Sequence, residues 1–127
     1  MLKLWGRVNS SNVKKVRWTC AELDIPYERI DAGLHFGVNN TPEFKAMNPL
    51  AMIPVIDDDG FVLWESNAIM RYLCAKHPKA PYYPADAQTC ASADRWMDFQ
   101  SGTMSPALGQ PFMQLIRSPQ AEWDMAM

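Results

Sequence analysis

Residues 48–66 read NPLAMIPVIDDDGFVLWES and carry the strongest structural signal in the chain. Two short apolar runs, at 53–56 and 61–64, flank the acidic segment 57–60, which ends in glycine. Apolar runs separated by an Asp/Gly turn are typical of a β-hairpin. We expect Ser66 to cap a helix that ends near residues 77–78. Its inward-facing residues are predicted to be Ile69, Tyr72 and Leu73.

The residues before this hairpin predict two strands and two helices. Residues 2–5 read as a strand ending at Gly6, and residues 27–31 as a second strand. Ser10-Ser11-Asn12 offers helix caps, and residues 24–26 end the helix that follows. The apolar positions of that helix are Val13, Val16, Cys20 and Leu23.

Residues 32–40 are predicted to be a loop, and Thr41 with Pro42 starts a short helix that ends near Met47. The resulting order, βαβ followed by αββα, needs a crossover helix between parallel strands and then an antiparallel hairpin covered by a helix. This order predicts an α/β fold of the thioredoxin-like type over residues 1–78.

The rest of the chain has a different pattern. Three prolines in residues 78–84 indicate an interdomain linker, placed at 79–85. Residues 86–127 read as an incomplete all-helical domain, in which a long helix opens at Asp86 and is kinked or ended by Pro106 and Pro111. A further helix is expected to start at Pro119 and run to the end of the chain.

Composition excludes several classes of function. The net charge of the 127 residues is −2, which gives no electrostatic reason to bind nucleic acid or an anionic membrane. Neither a signal peptide nor a membrane span is recognisable, so we expect a cytoplasmic protein. The three cysteines Cys20, Cys74 and Cys90 form no CxxC pair and are predicted to be buried structural thiols, with no metal site.

The loop after the first strand is where we expect the chemistry. In a thioredoxin-like domain this loop delivers side chains to a helix N-terminus, where free amide groups favour an anion. Ser10-Ser11-Asn12 cannot exchange disulfides, but hydroxyl and amide groups can donate hydrogen bonds to a thiolate on a ligand and lower its pKa. The alternative is that these residues only cap the helix.

Three stretches resemble the signature segments of bacterial glutathione transferases, in particular the serine-using, theta-like branch. They are residues 7–16 (RVNSSNVKKV), 48–56 (NPLAMIPVI) and 64–69 (WESNAI). The resemblance implies a glutathione co-substrate, a small electrophilic substrate, a role in detoxification, a homodimer and no metal or redox cofactor.

The resemblance also implies residue roles. Pro54 would be a cis-proline that exposes the N–H and C=O of Ile53 to the cysteinyl group of glutathione. Ser66 would hold the γ-glutamyl carboxylate at a helix N-terminus, and Glu65 would pair with the ammonium group. The alternatives are an ordinary proline at the start of a strand and an ordinary helix cap.

The thiol-activating residue is left open between Ser10, which aligns best, and Asn12, while Ser11 is interpreted as structural. One departure from the family concerns the residue before Ile53, commonly Lys or Arg, which is Met52 here. Lys45 or His35 could supply this cation in place of residue 52. His35 is not expected to act as a catalytic base.

Two functions therefore follow from the sequence. The first is a glutathione transferase that conjugates glutathione to small electrophiles or uses it to reduce peroxides. The alternative is a non-catalytic glutathione-binding or protein-interaction module derived from a transferase, which Met52 and the short helical part would favour.

Overall fold

The structure, a computed structural model, describes residues 1–79, 82 and 86–122. The chain forms two compact units, Met1–Tyr83 and Pro84–Met127. Most of the predicted linker 79–85 lies outside the described residues, and so does the end of the predicted last helix, residues 123–127.

The first unit is built on a four-stranded mixed sheet. Its strands are β1 (Leu2–Trp5), β2 (Tyr27–Ile30), β3 (Val55–Asp58) and β4 (Phe61–Trp64), in the order β2-β1-β3-β4. The pair β1–β2 is parallel, whereas β1–β3 and β3–β4 are antiparallel. The predicted thioredoxin-like α/β fold is confirmed.

Three helices complete this unit: α1 (Ser11–Glu22), α2 (Pro42–Met47) and α3 (Ser66–Lys76). The Ser10 side chain caps α1, and the Thr41 side chain caps α2 by accepting from Phe44 N at 3.2 Å. The segment predicted as a loop contains two 3₁₀ turns, Leu34–Phe36 and Val38–Asn40.

Side chains from alternate strand positions fill two separate cores. Ile56 packs with α1 and α3 on one face of the sheet, while its neighbour Val55 packs with Phe44 of α2. This separation follows from the two-residue period of a strand. The larger core contains Leu2, Leu4, Val13, Val16, Cys20, Leu23, Ile56, Ile69 and Leu73.

Several predictions of detail were wrong. The strand β3 starts at Val55, not at Ile53, because Pro54 has no N–H to give to a ladder. It continues through Asp58, and the Asp57 carboxylate closes the turn by accepting from Gly60 N at 2.6 Å. Ser66 is the first residue of α3, and Glu65 occupies the cap position without a side-chain hydrogen bond.

The cysteine prediction holds fully for only one residue. Cys20 is buried in the larger core, and burial raises the pKa of its thiol to about 11. Cys74 and Cys90 are partly exposed. All three are free thiols.

In the second unit, Asp86 caps α4 (Ala87–Phe99), as predicted, and α5 (Ser105–Phe112) follows. Pro106 and Pro111 do not end the helix, since wider π-helical turns at Gln100–Met104 and Met113–Arg117 continue it. Pro106 lies in the first turn of α5, directly after the first of these π-helical turns. None of the helices in the described ranges has the length and apolar character needed to cross a membrane.

Candidate functional site

Strand register brings three loop segments to one edge of the sheet. Val55, the first residue of β3, pairs with Trp5 at the end of β1 and with Trp64 at the end of β4. Because β3 runs antiparallel to both neighbours, the residues that follow Trp5 and Trp64 lie at the same edge as those that precede Val55. This edge of the sheet therefore contains three segments, residues 6–12, 53–54 and 65–67.

Ser10 lies at the N-terminus of α1 and is 8% exposed. Its Oγ accepts from Val13 N at 3.4 Å, and its carbonyl accepts from Lys14 N at 2.9 Å. The hydroxyl proton is not used by this cap, since the oxygen acts only as an acceptor in it. Ser10 can therefore cap the helix and donate a hydrogen bond to a ligand at the same time.

Glu65 and Ser66 lie at the N-terminus of α3, as the sequence predicted. Ser66 is 6% exposed, whereas Glu65 is exposed. Glu65 has φ 73° and ψ 110°, a conformation that costs free energy for any residue except glycine. Strained backbone of this kind is concentrated at binding and active sites, so it marks Glu65 as a candidate ligand contact.

Two hydrogen bonds join α1 to the first turn of α3. Ser66 Oγ donates to Asn12 Oδ1 at 3.4 Å, and Lys15 Nζ donates to Asn67 Oδ1 at 2.9 Å. Burial lowers the pKa of Lys15, while the nearby Glu65 carboxylate acts in the opposite direction. The starts of the two helices are thus neighbours, and they place one carboxylate and one ammonium group beside Ser66.

The Ile53–Pro54 peptide bond is cis, as predicted, and Pro54 is buried. Within the part of the chain that the structure describes, no backbone hydrogen bond is made by the N–H or C=O of Ile53. The Ile53 side chain lies against Gly33, where a Cβ would come within 2.8 Å of Ile53 Cδ1 and 3.1 Å of Arg7 Nη1. A Cβ at residue 33 would therefore crowd the side chains of Arg7 and Ile53, and its φ of 91° also favours glycine.

The loop before Ile53 is held by two asparagines. Asn39 Nδ2 donates to the carbonyl of Ala51, and Asn48 Nδ2 donates to the carbonyl of Met52, each at 2.9 Å. The Met52 side chain is 62% exposed. A long side chain at this position projects from a fixed backbone.

Both residues suggested as a replacement for the missing cation are exposed. His35 is exposed and stacks on Phe36, with ring centroids 4.0 Å apart, and Lys45 is an exposed residue of the last turn of α2. The described residues include no group of three or more His, Cys, Asp or Glu side chains that could hold a metal ion.

Sequence reasoning missed two cations at this edge, Arg7 and Lys15. Arg7 lies two residues after the end of β1, in the loop that leads to Ser10, and this position was the available signal. Lys15 lies three residues after Asn12, which puts both on the same face of a helix. The relevant signal was this spacing, which places both residues opposite α3.

Residues 1–75 match the model of the glutathione S-transferase N-terminal domain. The chain belongs to the glutathione S-transferase family. The matched residues include all three segments of the candidate site.

Individual glutathione S-transferases are similar over nearly the whole chain. Glutathione S-transferase GstB of Escherichia coli K12 is 45% identical over 128 aligned positions, which cover 99% of this chain and 62% of that protein. The probable glutathione S-transferase GSTF2 of rice, Oryza sativa subsp. japonica, is 30% identical over 93% of this chain and 55% of its own length. The chain thus spans about three fifths of the length of these relatives.

Solved glutathione S-transferases show the same likeness. The theta-class enzyme of the citrus canker pathogen Xanthomonas axonopodis pv. citri, solved with glutathione bound, superposes with a TM-score of 0.92 at 42% identity. The match covers 98% of this chain and 60% of that one. Transferase F2 of Populus trichocarpa gives a TM-score of 0.85 at 26% identity. The expected likeness to the theta class is therefore confirmed.

Proposed function

We propose that this chain binds glutathione at the edge of the sheet where β1 and β4 end, and that it activates the glutathione thiol as a transferase. The observation that carries the proposal is the pairing of Val55 with both Trp5 and Trp64. This register sets the N-termini of α1 and α3 at the same edge as Ile53, whose N–H and C=O make no backbone hydrogen bond to any described residue. A tripeptide with a thiol and an amino-acid end can contact all three.

The cysteinyl group of glutathione lies along Ile53 in this proposal. Its N–H and C=O pair with the C=O and N–H of Ile53, as an added strand would. Its sulfur then points toward α1, where the free amide groups and the Ser10 hydroxyl favour the thiolate over the thiol. Ser10 is accordingly proposed as the thiol-activating residue.

The γ-glutamyl end occupies the start of α3. Its carboxylate accepts from the backbone N–H of Ser66 and the next amide groups of this helix, and its ammonium group pairs with Glu65. The positive φ of Glu65 supports this assignment, because it holds the carboxylate in an exposed position at a cost in free energy.

The reaction is nucleophilic attack by the bound thiolate. With an electrophile that carries a leaving group, a carbon–sulfur bond forms and the leaving group departs with the bonding electrons. With a peroxide, two glutathione molecules are oxidised to the disulfide and the peroxide is reduced. Neither reaction needs a metal or redox cofactor, and both fit a role in detoxification.

We place this activity in the cytoplasm and in a homodimer. Three free thiols favour a reducing compartment. The exposed apolar side chains Phe61 and Val62 lie on β4, an edge strand that a second copy would cover.

The proposal is tested by titrating the chain with glutathione in a calorimeter, and then by following its reaction with 1-chloro-2,4-dinitrobenzene. We expect saturable binding and a conjugation rate that Ser10→Ala lowers at least tenfold. Absence of binding at millimolar glutathione would overturn the proposal. An unchanged rate in Ser10→Ala would overturn the assigned mechanism.

A second candidate is a non-catalytic glutathione-binding module, and the observation that favours it is Met52. A side chain without charge stands where relatives commonly carry a cation, and it is 62% exposed. Loss of a charge-assisted hydrogen bond of roughly 1.5–3 kcal/mol would weaken binding by tenfold or more. Glutathione binding without any conjugation would favour this candidate.

A further inference from the structure

Asn12 is the second residue of α1, and its carboxamide turns toward α3. Its Oδ1 accepts from Ser66 Oγ at 3.4 Å. Ser66 is buried and Asn12 is exposed, so this hydrogen bond joins a buried hydroxyl to a carboxamide at the surface. Asn12 is therefore engaged with the γ-glutamyl end of the proposed site.

A second bond between the same helices keeps this arrangement in place. Lys15 lies one turn after Asn12, and its Nζ donates to Asn67 Oδ1 at 2.9 Å. Consecutive residues of α3 are thus bonded to two residues on one face of α1. The first turn of α3 is fixed relative to α1 through both contacts.

The hydrogen-bond chemistry separates the roles of Ser10 and Asn12. A carboxamide accepts through its oxygen and donates through its nitrogen, and here the oxygen has its donor in Ser66. The Ser66 hydroxyl, having given its proton to Asn12, is left to accept and cannot rotate freely. Ser10 has no such cross-helix contact among the described residues, and its hydroxyl proton remains available for a thiolate.

We propose that Asn12 is a positioning residue for the γ-glutamyl end of glutathione, acting through Ser66, and that it does not activate the thiol. This inference rests on the proposed glutathione site. Asn12 then contributes to the affinity for the amino-acid end of glutathione, and Ser10 promotes ionisation of the sulfur.

The test compares Asn12→Ala, Ser66→Ala, the double variant and Ser11→Ala. Ser11 is the exposed neighbour of Asn12 in α1 and serves as the matched control. For each protein, calorimetry gives the dissociation constant for glutathione, and the ultraviolet absorbance of the thiolate gives the pKa of the bound thiol. Circular dichroism checks that α1 and α3 are intact.

We expect Asn12→Ala to raise the dissociation constant about three- to tenfold and to leave the pKa of the bound thiol unchanged. The double variant should bind no more weakly than Ser66→Ala alone, because the two residues act as one unit. Ser11→Ala should match the unmodified protein.

Three results would overturn the inference while leaving the glutathione site intact: a raised thiol pKa in Asn12→Ala, an unchanged dissociation constant, or fully additive losses in the double variant. Absence of glutathione binding by the unmodified protein would instead overturn the proposed function itself.

Discussion

Val55 lies opposite Trp64 in the β3–β4 ladder, and the next ladder places Trp5 on its other side. Shifting β3 by one residue would exchange the faces of Val55 and Ile56, which pack in different cores. The register is therefore fixed by packing. The candidate site inherits this rigidity, since each of its three segments starts next to one of these paired residues.

Ser10→Ala should change two separate properties. Loss of the helix cap lowers the free energy of unfolding by about 1 kcal/mol. Loss of the hydroxyl also removes a hydrogen bond to the thiolate. If this bond contributes about 1.4 kcal/mol, the pKa of the bound glutathione thiol rises by about one unit. Chemical denaturation measures the first effect, and thiolate absorbance against pH measures the second.

Thr41→Ala is the control for the cap. Thr41 Oγ1 accepts from Phe44 N at 3.2 Å, the same kind of contact that Ser10 makes with Val13. We expect a similar loss of stability with no change in the thiol pKa. Equal thiol pKa values in Ser10→Ala and Thr41→Ala would refute the role of the Ser10 hydroxyl.

Glu65 allows strain and charge to be separated. Glu65→Gln keeps the strained backbone and removes the charge, whereas Glu65→Gly removes both. Each should weaken glutathione binding about tenfold. Because Glu65→Gly removes the strain, its free energy of unfolding should equal that of the unmodified protein or exceed it by up to about 1 kcal/mol. Glu65→Gln keeps the strain and should show no such gain. A glycine variant less stable than the glutamine variant would show that the positive φ is not strained.

Met52→Lys should restore a cation at the glycyl end of glutathione. The side chain is 62% exposed, so a lysine needs no repacking. We expect binding to tighten about tenfold at low salt and the gain to shrink as salt is added. Leu50→Lys, in the same loop and also exposed, is the control. An equal gain in both variants would indicate a general charge effect and no defined contact.

Asp58 makes stability depend on pH at the other end of α3. The Lys76 ammonium and the Tyr72 hydroxyl, which donates at 2.6 Å, both hold the pKa of Asp58 below its usual value. A depressed pKa in the folded state stabilises the protein above the ordinary pKa of about 3.9, and this stability is lost as the pH falls through the lower folded value.

Asp58→Asn should therefore lower the free energy of unfolding at neutral pH by about 1 kcal/mol. The effect is no larger because Lys76 is solvent-exposed, so that water screens its attraction to the Asp58 carboxylate. The loss of stability in acid should be shallower than in the unmodified protein. Tyr72→Phe measures how much of this stabilisation comes from the hydrogen bond of the Tyr72 hydroxyl. Urea denaturation at a series of pH values checks the result, and an equally steep acid dependence in Asp58→Asn would contradict it.

Much of the fold could be predicted from local signals. The β-hairpin at 55–64 follows from two apolar runs around an Asp/Gly turn, and α1 from its apolar spacing behind Ser10. The positions of Ser10, Glu65 and Ser66 at helix starts followed from the same patterns, because caps and turns are encoded over a few residues.

The features of the site that the sequence could not predict depend on contacts between segments that are far apart in the chain. The cross-helix bonds of Asn12 and Lys15 arise only when α1 packs against α3. Glu65 has its positive φ at the junction between β4 and α3, and no local residue preference indicates it. The helix continues past Pro106 because a π-helical turn lies just before it, and no local signal in the sequence indicates that turn.

The most direct test of the central claim is a titration of the isotope-labelled chain with glutathione, followed by the backbone amide resonances of Ile53, Ser10 and Ser66. We predict a saturable downfield shift of the Ile53 amide, with shifts at the starts of α1 and α3 that give the same dissociation constant. An Ile53 amide unmoved at millimolar glutathione, or shifts confined to other segments, would contradict the account.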